Sequence, residues 1–243
     1  MTLDRAAKLN AIDPPMLLEL REALIALGAR MDVGAVVVTG SGERSFSAGA
    51  DIAEMASMDP TDARSFAQLG QSVTSLIEAL PQPVLAAVNG VAFGGGCELV
   101  LACDLRVCSD GARFAQPEID LGVVPGWGGT QRLVRLCGLE FARRMIYTGE
   151  TVDALDALAH GLVSAVLPAA ELHASARELA ARLAGKDVTA LRFAKELTRR
   201  APDLELSHGL AFEADLFALS FVAPGQAELM AAFVRRKSAS ITA

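Results

Sequence analysis

The sequence predicts an α/β domain followed by an all-helical tail. Three observations predict it. Runs rich in Val, Ile and Ala alternate with helix-periodic segments as far as residue 167. From Glu171 onward the strand pattern disappears and helical periodicity fills the rest. Apolar residues make up 52% of the 243 and mean hydropathy is +0.36, enough to fill a large core and too much for disorder.

The elements follow in order. "MLLELREALIALG" (16–28) has helical spacing and ends on Gly28, a natural stop. "AVVVTG" (35–40) is a buried strand, and the Gly- and Ser-rich "SGERSFSAGADI" (41–52) is a loop. "PTDARSFAQLGQSVTSLIEA" (60–79) is a helix, broken by Pro81 and Pro83 before the strand "VLAAVNG" (84–90). A Gly-rich turn and an apolar helix come next, then short strands at "DLRVCS" (104–109) and "ARFAQ" (112–116). "PGWGGTQRLVRLCG" (125–138) is a second Gly-rich turn that feeds a helix. Helices at 139–148 and 152–160 precede a last strand, "LVSAVL" (162–167). Helical patterns then fill 171–185, 187–200, 204–220 and 225–236. The division expected is 1–185 for the core and 186–243 for the tail.

A net charge of −7 argues against non-specific nucleic-acid binding, so an anionic ligand would need local cations and backbone amides. No apolar stretch reaches membrane-spanning length without a charge or a turn residue, and "MTLDRAAKLNAIDPP" lacks the apolar run of a signal peptide. Cys97, Cys103, Cys108 and Cys137 form no C-x-x-C pair, and His160, His173 and His208 are scattered. Reduced thiols in a cytoplasm are expected, with no metal site and no disulfide framework. His160 is expected at a helix end.

The chemistry concentrates in "NGVAFGGGCELVLACD" (89–104). Free amides at a helix N-terminus carry partial positive charge, and glycines let a ligand approach them. The stretch is neither a P-loop nor a dinucleotide fingerprint. An oxyanion site and tight helix–strand packing both remain open. Glu98 stands in the apolar first turn, where a carboxylate must be paired or used. Glu118, in "FAQPEIDLG", is expected at a strand end twenty residues later. Two carboxylates in such surroundings suit joint acid and base work on one water, though spacing alone does not bring them together. "FSAGADI" offers a second backbone amide.

"SFSAGADIAEM", "AAVNGVAFGGGCELVLACDLRV", "FAQPEIDLGVVPGWGGTQRL" and "AHGLVSAVLP", in this order, resemble the enoyl-CoA hydratase/isomerase, or crotonase, superfamily over almost the whole chain. The resemblance implies a spiral of ββα units with a C-terminal helical trimerisation region, as a homotrimer or dimer of trimers. It implies an acyl-CoA substrate and no metal or redox cofactor. The thioester oxygen would lie between the amides of Ala50 and Gly95. Glu98 would activate a water for addition at C3 of a 2-enoyl thioester, and Glu118 would deliver a proton at C2, a step of fatty-acid β-oxidation. A Δ3-Δ2-enoyl-CoA isomerase and a non-catalytic acyl-CoA-binding protein are the alternatives.

CoA contacts are implied for Arg5, Lys8, Ala48, Asp51, Ile52, Gly94 and Lys237, with Arg235 and Arg236 beside the last. Trp127, the only tryptophan, either narrows the acyl pocket or packs in the core. Asp120 is expected at the surface. The chain departs from the family pattern at its start, which lies inside the usual first strands, and at Ala6, Gly225, Leu229 and the terminal "RRKSA". Those departures bear on CoA contacts and the oligomer interface rather than on the chemical centre.

Overall fold

A computed structural model of the chain describes residues 1–241. It divides into two compact units, Met1–Leu183 and Ala184–Ala243. The first unit runs β1 (Thr2–Leu3), α1 (Pro14–Gly28), β2 (Val36–Gly40), β3 (Ser45–Ser47), α2 (Ile52–Met55) and α3 (Pro60–Ala79). It continues with β4 (Val84–Val88), β5 (Val91–Phe93), α4 (Gly95–Ala102), β6 (Leu105–Ser109) and β7 (Arg113–Ala115). After these come α5 (Gly129–Cys137), α6 (Leu139–Thr148), β8 (Val152–Asp153), α7 (Ala154–Ala159), β9 (Ala165–Leu167) and α8 (Leu172–Ala184).

The strands form two sheets, β1-β2-β4-β6-β9 and β3-β5-β7-β8. Every pairing is parallel except β7 with β8. Successive passes give one strand to each sheet, β2 then β3, β4 then β5, β6 then β7, which is a spiral of ββα units. Strand β4 is wholly buried, as a central parallel strand covered on both faces must be. Its alternate residues face different cores: Leu85 and Ala87 meet Val107, Leu172 and Ala176, while Val84, Ala86 and Val88 join the main cluster.

Aspartates set the helix starts. Asp13 accepts from Met16 N, Asp59 from Thr61 N and Asp62 N, and each is followed directly by a proline at the first helical turn. Helix α3 buries Phe66, Gly70, Val73, Thr74 and Ile77, one stripe of a 3.6-residue repeat.

The structure corrects the expected elements in several places, and the segment 152–160, expected as one helix, opens with strand β8, which pairs with β7 before α7 begins. Ser45–Ser47, expected as loop, is strand β3, because its serines hydrogen-bond inward: Ser45 Oγ to Leu9 O at 2.9 Å and Ser47 Oγ to Asn10 O at 2.8 Å. Val91–Phe93 is a separate strand, because Gly90 ends β4 and redirects the chain into the second sheet. Glu118 stands on a single 3₁₀ turn, Pro117–Leu121, and not at a strand end, since Pro117 has no N–H to continue the ladder.

The second unit contains α9 (Val188–Arg200), α10 (Leu206–Ser220) and α11 (Pro224–Ile241). Among its described residues only Lys195 and Leu216 are buried, whereas Leu206, Phe217 and Val222 are 76%, 64% and 81% exposed. No single helix among the described residues is long and apolar enough to cross a membrane.

Candidate active site

Three neighbouring parallel strands end at the same place. Ser47 of β3 lies beside Ala92 of β5, and Phe93 of β5 beside Ala115 of β7. Parallel register therefore delivers three exits side by side: the turn around Ala50, the turn at Gly94–Gly95, and Glu118. At the first exit Gly49 has φ +99, and a Cβ there would lie 2.8 Å from Phe93 O and 3.4 Å from Gly95 N. Only glycine lets these two turns approach so closely. Ala50 is held from the other side, where Ile12 N donates to Gly49 O and Asp51 N to Ile12 O, both at 2.8 Å. The N–H groups of Ala50 and Gly95 donate to no acceptor among the described residues. Gly95 is the first residue of α4, where an unsatisfied amide carries the positive end of the helix dipole.

Gly94 joins the second exit to the third. Its φ is +49, its N–H donates to Ala115 O at 3.0 Å, and a Cβ on it would sit 2.9 Å from Glu118 Oε1. The Glu118 carboxylate thus lies directly against the glycine turn. Its Oε2 is buried with no hydrogen-bond partner among the described residues.

Glu98 is 1% exposed on a helix whose eight residues are all buried. Its Oε1 accepts from Trp127 N and Gly129 N, both at 2.7 Å. Gly129 opens α5, so a second helix N-terminus faces this carboxylate. Burial pushes the Glu98 pKa up, against the pull of those two amides and of Arg132. Burial likewise pushes Glu118 up to about 7; its own amide opposes this, and the nearby charge of Glu98 adds to it. The two acids are electrostatic neighbours, as two carboxylates flanking one small polar site must be. The Cys97 thiol is buried and inert, its pKa raised by desolvation and by the charges of both carboxylates.

The remaining expected residues are placed as follows. Arg5 spends its guanidinium on Ala11 O at 2.7 Å, Asp13 at 2.9 Å and Asp51 at 3.4 Å. Lys8 also reaches Asp51, at 3.0 Å, with its side chain 59% exposed. Asp51 is therefore occupied by two cations and caps α2. Ala48 N is tied to Leu9 O, and Ile52 is exposed. Trp127 is buried against Gly95. Asp120 is exposed, as expected, and His160 ends α7 with its ring stacked on Phe141. Arg235 and Lys237 are exposed on α11; the Arg236 side chain lies outside the described residues.

Sequence reasoning missed three supports of this site. Gln116 is fully buried beside the Cys97 thiol, and among the described residues its amide makes no hydrogen bond of ordinary geometry; a Cβ on Gly129 would lie 3.0 Å from its Oε1. A polar amide at the end of an apolar strand, two residues before Glu118, was the available signal. Arg132 grips Glu78 through two bonds of 2.7 Å and also donates to Trp127 O, a pairing across 54 residues that no local pattern announces. Asn10, at φ 56, ties the first loop to β3 by donating to Ser45 O at 2.8 Å. Asparagine is among the few residues suited to that backbone region.

The family described as "Enoyl-CoA hydratase/isomerase" matches residues 1–242. A crotonyl-CoA hydratase of Syntrophomonas wolfei is 41% identical over 238 residues, covering 98% of this chain and 92% of that protein. A short-chain-enoyl-CoA hydratase of Clostridium acetobutylicum is 40% identical, with 98% and 91% covered. The crystal structure of an enoyl-CoA hydratase from Bacillus anthracis superposes with a TM-score of 0.94 at 36% identity, covering 97% of this chain and 91% of that one. Together with the two-sheet spiral of ββα units, these likenesses establish that the chain belongs to the enoyl-CoA hydratase/isomerase family.

Proposed function

We infer that the protein is an enoyl-CoA hydratase, a hydro-lyase that adds water across the C2=C3 bond of a 2-enoyl-CoA. The observation that supports this reading is a pair of electrostatically coupled, desolvated carboxylates: Glu118 lies against the Gly94 turn, and Glu98 is buried in the first turn of the helix that follows. The thioester oxygen accepts from Ala50 N and Gly95 N. Each such donor is worth about 2.7–4 kcal/mol to the barrier when charge develops on that oxygen. Glu98 takes a proton from the water as its oxygen bonds to C3, the π electrons move onto the thioester oxygen, and Glu118 protonates C2 as the enolate collapses. The atoms of one water are thereby added, and the pair ends with the proton count it began with. Glu98 keeps Oε2 for the water because both backbone bonds go to Oε1.

The CoA moiety enters over the first loop. Lys8 is its exposed cation, while Arg5 holds that loop closed through Asp13 and Asp51. The four free cysteines suit a reducing compartment such as the cytoplasm. The exposed apolar faces of α9 to α11 are covered by copies of this chain in a trimer or a dimer of trimers. Light scattering at the mass of three or six chains is the expected result; a monomer at micromolar concentration contradicts it.

Crotonyl-CoA hydration, followed by loss of the enoyl-thioester absorbance, tests the reading, and its pH profile tests the acid assignment. Hydration requires Glu118 protonated, so kcat/KM should fall as pH rises through about 7. The same shift acts on stability. A carboxyl raised in the folded state contributes stability that is complete below the ordinary value of 4.5 and lost as pH climbs through about 7. Glu118→Gln should abolish that loss. A wild-type rate flat from pH 6 to 9 would contradict the assignment.

A further inference from the structure

We propose that the Trp127 indole is the back wall of the acyl pocket and restricts the enzyme to short 2-enoyl groups. This rests on the hydratase reading above and adds to it a residue that determines specificity.

The indole lies between two glycines. A Cβ on Gly95 would fall 2.3 Å from Cζ3, and a Cβ on Gly70 of α3 would fall 2.2 Å from Cδ1. Neither helix could carry a side chain there with the ring in place. Phe66 meets the ring edge-on, with centroids 5.5 Å apart. The backbone of Trp127 is clamped on three sides. Its N–H is on Glu98 at 2.7 Å, and its carbonyl accepts from Thr74 Oγ1 at 3.0 Å and from Arg132 at 2.9 Å. The backbone is thereby fixed, and the ring is hemmed in by Gly70, Gly95 and Phe66.

Position turns this packing into selectivity. The Gly95 amide fixes C1 of the substrate, and Glu98 faces C3. The ring touches Gly95, and the backbone N–H of Trp127 donates to Glu98, so the indole stands behind the carbons that follow C3. Each methylene that finds apolar walls adds roughly fourfold in binding, and each that meets a filled space forfeits this. The observed core packing and the proposed pocket limit are compatible, since a tryptophan packed at this point can also end the pocket. Removing it would leave an apolar cavity between Phe66, Gly70 and Gly95, the kind that stays dry and accepts an apolar guest.

The test compares kcat/KM for crotonyl-CoA and 2-octenoyl-CoA in wild type, Trp127→Ala and Trp127→Met. Wild type should favour the shorter substrate by about tenfold or more, and both variants should raise the octenoyl-to-crotonyl ratio by about tenfold. An unchanged ratio in a folded, active variant, or a wild type that prefers octenoyl, overturns the proposal. Wild-type crotonyl hydration reports separately on the hydratase reading. If neither variant folds, the lone indole of wild type decides: its emission should change on saturation with butyryl-CoA beyond any change with CoA alone, and identical spectra overturn the proposal.

Discussion

Glu98→Gln and Glu118→Gln should each lower crotonyl-CoA hydration by about 10²–10⁴-fold while leaving the fold at least as stable as wild type. Glutamine at 98 keeps an oxygen for the amides of Trp127 and Gly129, so the local geometry survives. What is lost is the ability to take a proton. Stability should not suffer, because burial raises the pKa of both carboxylates, so their charge opposes folding. Thermal unfolding and initial rates on the same samples check both halves. A large loss of Tm with the rate intact would make these acids structural. Isomerisation retained in Glu98→Gln, with no hydration in wild type, would favour the isomerase alternative.

Gly94→Ala should be nearly as damaging, for a different reason. At φ +49 an alanine costs about 1–3 kcal/mol of backbone strain. Its methyl would also press on Glu118 Oε1 at 2.9 Å. Relief requires the turn to move, and Gly95 N moves with it. Misplacing one oxyanion donor costs about 10²–10³-fold in kcat. The expected outcome is a Tm lower by several degrees together with that loss of rate. Wild-type kinetics in Gly94→Ala would show that the turn does not hold the reacting atoms.

How much of this was legible depends on whether a feature is made locally. The turn before α4 was legible because strand, glycines and helix follow one another directly. Glu98 was conspicuous because every neighbour on α4 is apolar. Helix α3 and the tail helices were legible from their 3.6-residue spacing. Strand β3 was not, since its serines resemble a loop until Leu9, Asn10 and Val91 are brought against them. Glu118 was legible as a partner only through family resemblance. Spacing along the chain says nothing of the parallel register that sets Ala115 beside Phe93. The cations of the first loop were legible as charges, but not as partners of Asp51, which lies 46 residues from Arg5.

The most direct test of the account is a crystal structure with butyryl-CoA, which is saturated and cannot react. Its thioester oxygen should lie about 2.7–3.1 Å from both Ala50 N and Gly95 N. One water should touch both the Glu98 and Glu118 carboxylates beside C3. A carbonyl bound away from these amides, or carboxylates that hold separate waters, would contradict it.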